Sequence, residues 1–571
     1  MDAEVRERVE RAAEVHALLN AMQHDGAAQV GTVVGALMAE HPTFREHGDF
    51  VAGAVAPVVE RVNALPTDEQ RERLGELAPD RLAEVEAEAP AEDDPLGDLP
   101  NVHDAGQVRM RLAPNPNGQW HLGNARMPAV IGTYKERYDG WMLCRFDDTD
   151  PDTKRPDLEA YDAILRDLEY LGFEPDEVIR ASDRLELYYD RARELVDLGG
   201  AYTCSCPAAA FRERKAAGEA CPHREKDAST VREEFDRMVD GGYDAGEMVL
   251  RVRTAIDHDN PALRDWVAFR LVDRPHPREA AAGYRCWPML DFQSGIDDHE
   301  TGITHIIRGI DLQDSAKRQQ FVYDYFGWSY PEVVHWGHVQ VDEYDVKLST
   351  STIKDLIDRG DLDGWDDPRA PTVASLRRRG IRGEAIVGAM VELGTSPRNV
   401  DLAMSSIYAQ NRELVDAVAD RYFLVRAGRS CPVLGAPATG TPPVHPEFPD
   451  RGTREVPVGE AVLLEAPDVP DVGERLWLKG LGGFRLDGGT LVYETDDIDW
   501  VRDDGVPVVH WVPREGGVDV RLRTPTGDVR GVAEPAFDEA AVDEVVQFER
   551  VGFARVDATD QAGRVAFFAH P

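Results

Sequence analysis

Apolar residues recur at three- and four-residue spacings in VRERVERAAEVHALLNAM (5–22) and DFVAGAVAPVVERVNAL (49–65), a period that predicts helices over most of residues 1–90. The Pro-, Asp- and Gly-rich stretch APAEDDPLGDLPNVHDAG (89–106) predicts a linker, which sets residues 1–95 apart as a helical N-terminal extension. The pattern then changes. QVRMRLAP (107–114) reads as a strand ending at a proline, NPNGQ as a turn, WHLGNARMPAVIGTYKERY (120–138) as a helix opening at Trp120–His121, and GWMLCRF (140–146) as a second strand. Strand, turn, helix and strand in about forty residues form a βαβ unit with a parallel sheet. Residues 201–280 are irregular. From 284 the alternation resumes through YRCWPMLDFQ, ITHIIRGIDL, SAKRQQFVYDYFGW and VVHWGHVQV, so the simplest reading is one α/β, Rossmann-type doubly wound sheet interrupted by an insert. Residues 351–428 are again helical, and from 429 to 571 short alternating runs separated by Gly, Pro and Asp predict an all-β, barrel-like region.

Composition adds compartment and charge. The longest apolar runs fall short of a membrane span, the N-terminus carries no apolar secretory segment, and six cysteines in 571 residues fit a reducing cytosol. Asp and Glu number 106 against 64 Lys and Arg, a net charge of −42 spread along the whole chain. Of the basic residues only 8 are lysines and 56 are arginines. An acid excess without a tail fits a surface kept soluble by high salt, and the chain reads as a halophile's cytoplasmic protein.

Two loops and a set of charges carry the chemistry. PNPNGQWHLGN (114–124) joins a strand to a helix: Pro114, Asn115, Pro116, Asn117 and Gly118 enforce a tight turn, and the helix start offers free N–H groups to a phosphate. His121 and Asn124 lie three apart on one face, and Gly123 leaves room for a nucleotide. With Arg111 just before it, this run resembles the HIGH region of class I aminoacyl-tRNA synthetases in the form used by glutamyl and glutaminyl enzymes, with Asn124 where the family usually has His. DVKLSTS (345–351) resembles the second signature loop of that family, KMSKS. Lys347 falls at its first lysine, Ser349 and Ser351 follow, and Thr350 stands where the second lysine belongs; Lys354 is a substitute by position.

The resemblance implies a catalytic domain over 105–205 and 281–350, an acceptor-binding insert over 206–280, a helical stem over 351–428 and an anticodon-binding β-barrel over 429–571, the last in the archaeal manner. It implies ATP-dependent ligation of glutamate to tRNA in two steps, adenylate formation and then transfer to the terminal adenosine, with ATP and Mg2+ required. His121, Asn124 and Lys347 would be catalytic. Glutamate has two carboxylates and one ammonium, so its site needs two guanidiniums and one acid. By resemblance Arg111 takes one carboxylate, Asp147 the ammonium, and Arg308 the side-chain carboxylate, which glutaminyl enzymes have no arginine to meet. Leu290 stands where a substrate-facing Tyr is usual, with Tyr284 or Gln293 as replacements.

Cys204-x-Cys206 and Cys221-x-His223 have the ligand types of a tetrahedral zinc site, with four metal-free groups as the alternative. The partners implied are tRNA(Glu), with tRNA(Gln) open as a second acceptor, and a monomer is expected. High salt screens an acidic surface from tRNA, and Arg377–Arg379 are local cations for its phosphates. Two other readings stand beside this one: a glutaminyl-tRNA synthetase and a non-catalytic tRNA-binding paralogue.

Overall fold

The computed structural model describes residues 3–22, 28–40, 48–65, 67–78, 81, 94–341, 343–344, 346–499, 501, 505–560 and 563–571. Part of the expected linker (89–93) and Asp345 of the signature loop lie outside them. The chain divides into two compact units, 1–94 and 95–571. No helix among the described residues is long and apolar enough to cross a membrane.

The described residues of the first unit include the helices Ala3–Met22, Val30–Glu40, Gly48–Asn63 and Thr67–Leu77. Their apolar stripes meet in a core that includes Val9, Leu18, Leu37, Val55 and Leu74.

In the second unit, β1 (Arg109–Leu112), β2 (Trp141–Phe146) and β3 (Glu177–Arg180) run parallel in the order β1–β2–β3. The helix after β1, α1 (Arg126–Arg137), carries Pro128 in its first turn, where the missing N–H would have no partner anyway. Gly132 on its buried face is needed for close packing: a Cβ there would sit 2.2 Å from the Phe173 ring. On the other side of β1, Arg109 N donates to Thr304 Oγ1 and Thr304 N to Arg109 O, which seats β8 (His305–Gly309) beside it. β8 pairs in parallel with β9 (Glu332–Trp336). The order 3-2-1-8-9 therefore reverses between β1 and β8, and a crevice opens there at the carboxyl ends of the strands.

The insert is an antiparallel sheet of β4 (Ala201–Cys204), β5 (Val249–Val252), β6 (Val267–Leu271) and β7 (Cys286–Pro288). It reaches past both expected bounds of 206–280. YRCWP does not resume the parallel alternation: Cys286 pairs antiparallel with Leu271, and Cys286 and Trp287 are fully buried in the insert's core. The alternation resumes one element later, at α2 (Leu290–Glu300). The helical stretch leads through α3 (Thr350–Asp358) and α4 (Val373–Arg379) into two seven-stranded, mainly antiparallel sheets, whose first strand is Arg421–Tyr422 and last is Gly563–His570.

Candidate active site

The HIGH-like turn is pinned from three sides. Asp147 N donates to Pro114 O, Asn115 Nδ2 to Asp147 O at 2.8 Å, and Asp157 N to Pro116 O. Leu122 N donates to Pro371 O, and Val373 N to Trp120 O. The helix does not open at Trp120–His121. His121 is extended, Leu122–Ala125 form a 3-10 turn, and α1 begins at Arg126. Asn124 Oδ1 accepts from His121 N at 3.2 Å, so Asn124 serves its own turn with one side-chain atom. Burial pushes the His121 imidazole down to about 4, which keeps it neutral at ordinary pH.

Two glycines bring the turn against the second signature loop. A Cβ on Gly118 would lie 2.5 Å from Thr350 Cγ2 and 2.9 Å from the Trp365 ring. One on Gly123 would lie 3.2 Å from the His121 ring and 3.6 Å from Leu348. Ser349 caps α3 through Thr352 N and lies 3.0 Å from Ser351 Oγ. Lys347 is exposed. Lys354 donates to Asp157 at 3.0 Å rather than into the cavity, so that pairing argues against it as a substitute for the absent lysine.

The crevice between β1 and β8 holds a cavity of about 490 Å³ whose walls include Arg111, Asn124, Asp147, Lys154, Leu290 and Arg308. Its inner end is densely charged. Asp298 of α2 accepts from Arg111 Nε at 3.1 Å and from Arg145 at 2.7 Å. Arg145 Nε also donates to Asp147 at 2.7 Å, and Gln293 Nε2 reaches the same oxygen at 3.2 Å. Asp297 accepts from Arg184, Tyr188 and Gln293. Burial pushes the Asp147 carboxyl up despite Arg145. At Asp298 burial acts in the same sense, but the Arg111 and Arg145 guanidiniums outweigh it and hold the carboxyl below its ordinary range.

Arg308 differs from its neighbours. Its Nη2 donates to the Tyr330 hydroxyl at 2.6 Å and to Gln319 Oε1 at 3.1 Å, and its buried Nε has no partner. Among the described residues, no ion pair joins it to a carboxylate. The sequence reading passed over Arg145, Asp297, Asp298, Gln319 and Tyr330. Arg145 had a signal: it lies at the end of β2 two residues before Asp147, within reach of that carboxylate. The replacements weighed for Leu290 divide. Tyr284 turns to Glu186, at 3.3 Å, whereas Gln293 is in the buried network.

The basic run Arg377–Arg379 is not offered to a polyanion. Arg377 pairs with Asp167, and Arg378 with Asp366 and Asp557. Arg379 is fully buried and donates to Phe568 O, Ala569 O, Tyr344 and Tyr408. Arg378 and Arg379 join the helical stretch to the last strands of the chain, and Arg377 joins it to the helix Leu158–Tyr170.

In the insert, one ligand atom from each of Cys204, Cys206, Cys221 and His223 lies within 4.8 Å of the others. The Cys204 and Cys221 sulfurs are 3.8 Å apart. Bonds of about 2.3 Å in a tetrahedron place sulfurs about 3.8 Å apart, so the donor set fits zinc. Ser205 Oγ sits 3.1 Å from His223 Nε2, an outer contact that would orient the imidazole.

Comparison with known proteins agrees with this geometry. The family profile described as tRNA synthetases class I (E and Q), catalytic domain, matches residues 107–416. Two profiles of the anti-codon binding domain of the same class match 419–496 and 508–557. The glutamate–tRNA ligase of Natronomonas pharaonis is 64% identical over 571 residues, covering 100% of both chains. That of Halobacterium salinarum is 63% identical over 586 aligned positions, again covering 100% of both. That of Methanosarcina acetivorans is 41% identical over 566 positions, covering 98% of each.

Proposed function

The chain belongs to the class I tRNA synthetases for glutamate and glutamine, and we infer from that membership and from the cavity that it ligates glutamate to tRNA. ATP drives the reaction, as in class I synthetases generally. A glutamate carboxylate oxygen attacks the α-phosphorus and pyrophosphate leaves; a ribose hydroxyl of the terminal adenosine of tRNA then displaces AMP. Positioning and electrostatics supply the rate, without a side-chain nucleophile.

We propose these roles. Arg111 takes one carboxylate, Asp147 the ammonium, and Arg308 the side-chain carboxylate. The 114–118 turn, His121, Gly123, Asn124, Lys347, Ser349 and Ser351 hold ATP, with Lys347 and Asn124 meeting charge on the phosphates. His121 contributes a hydrogen bond there. Magnesium bound with the nucleotide would supply charge neutralisation to the triphosphate. The observation that carries the reading is Arg308, a buried cavity arginine that forms no ion pair with a carboxylate among the described residues. A neutral amide would leave that charge uncompensated, so the glutaminyl reading is not favoured.

The test is charging of purified glutamate and glutamine tRNAs with labelled glutamate, in molar KCl with ATP and magnesium. We propose that glutamate tRNA is charged; charging of glutamine tRNA as well would mark a non-discriminating enzyme. Failure with both, by folded protein, would sink the reading in favour of a non-catalytic paralogue. We further propose a structural zinc on Cys204, Cys206, Cys221 and His223, and a monomer. Metal analysis finding folded protein without zinc defeats the first, and a dimer mass by light scattering the second.

A further inference from the structure

The arginines at the inner end of the cavity are held in two ways. Arg111 and Arg145 are held by aspartates, Arg111 through its Nε on an Asp298 carboxylate that it shares with Arg145. Among the described residues, the hydrogen bonds of Arg308 go to neutral oxygens. Tyr330 and Gln319 both face its Nη2, and Tyr330 also donates to Gln319 Oε1 at 2.5 Å. Gln319 is fully buried, and its Nε2 donates to Ser294 Oγ at 2.6 Å, which turns its carbonyl oxygen to Arg308 and Tyr330. The Tyr330 ring is set edge-on against Tyr323, with centroids 4.8 Å apart. Both partners are thereby locked before any substrate arrives. Arg126, the other cavity arginine with neutral partners, has Nη1 and Nη2 taken by the carbonyls of Gly337 and Gly394. Both keep a buried, unpartnered Nε, and Arg308 differs in that its hydrogen bonds within the chain use Nη2 alone.

We propose that Tyr330 and Gln319 form a neutral clamp that orients the Arg308 guanidinium while leaving its positive charge for the substrate, and that this clamp sets the preference for an amino acid with a side-chain carboxylate. The inference rests on the assignment of Arg308 to that carboxylate. Its physical basis is that a carboxylate at position 319 would fix the guanidinium equally well but would cancel the charge that selects the substrate. Neutral oxygens supply geometry without competition.

Gln319→Glu places such a competitor at nearly unchanged shape, and Tyr330→Phe removes one hydroxyl. In steady-state aminoacylation, the KM for glutamate should rise on the order of a hundredfold in Gln319→Glu and about tenfold in Tyr330→Phe. The KM for ATP and kcat at saturating glutamate should change less than about twofold, and the preference for glutamate over glutamine should fall in step with the glutamate KM. Arg308→Ala separates the two claims. If that variant keeps wild-type glutamate KM, the assignment of Arg308 fails. If it loses glutamate use while Gln319→Glu and Tyr330→Phe, folded by circular dichroism, keep wild-type KM and preference, the clamp is overturned and the assignment stands. Equal losses in kcat for all substrates would mean a packing role only and would likewise overturn it.

Discussion

Asp298 at the inner end of the cavity receives two buried arginines, whereas Lys347 at the signature-loop end is exposed and Asn124 spends one atom on its own turn. The inner end joins Arg111 of β1, Arg145 of β2 and Asp298 of α2 in one buried network of hydrogen-bonded charges, with Arg308 of β8 beside it on neutral partners. The other end is two loops in contact through Gly118 and Gly123. Buried charges interact strongly and cost much to leave unpaired, so their geometry has to be complete in the folded chain. A triphosphate is a dense, solvated charge that brings its own counterion, and an exposed lysine can meet it at little cost to folding. One end therefore spends stability on recognition, and the other keeps chemistry and stability apart.

That contrast can be broken most directly at Asp298. Asp298→Asn leaves Arg111 and Arg145 under-compensated in a buried site, and the expected loss of folding stability is about 3–5 kcal/mol. Thermal or denaturant unfolding in molar KCl reads it, and a change under about 0.5 kcal/mol would erase the distinction between the two ends. Lys347→Ala should do the opposite, with stability within about 0.5 kcal/mol of wild type and a fall of about a hundredfold or more in ATP–pyrophosphate exchange with tRNA present. Its KM for glutamate should not move; a parallel rise in that KM would tie the two ends together.

The smallest effect is a pH slope. The folded-state value for His121, about 4, lies below its ordinary 6.5, so between these the unfolded chain binds more protons. The stability owed to neutral His121 is fully present above about 6.5 and is lost as pH falls toward 4. Unfolding curves of wild type and His121→Asn should diverge in slope across that window and run parallel above it. Parallel curves throughout would mean that the imidazole is not held neutral by burial.

Local signals in the sequence reached far. The run from Arg111 to Asn124, with its prolines and Asn117-Gly118, implied a strand, a tight turn and the family resemblance, because turn chemistry is written in adjacent residues. The period of the N-terminal segment predicted helices for the same reason. Boundaries set by partners were harder. Cys286–Pro288 reads like a strand of the main sheet and belongs to the insert, since a strand's sequence does not name the edge it pairs with. His121 stands before a 3-10 turn rather than inside a helix, because the turn is pinned by Pro371 and Val373, about 250 positions away in the chain.

The sequence by itself determined which groups are available: two signature loops, three thiols with an imidazole, an acidic surface, and the arginines and aspartates of the cavity. Only the tertiary structure decided which of those charges are paired within the chain. Arg377–Arg379 look like a basic patch and are consumed by aspartates and carbonyls, Arg111 meets an aspartate 187 positions away through its Nε, and Arg308 forms no ion pair among the described residues. Charge is a property of a residue, but its availability is a property of its neighbours. Those neighbours are set by how strands and helices pack.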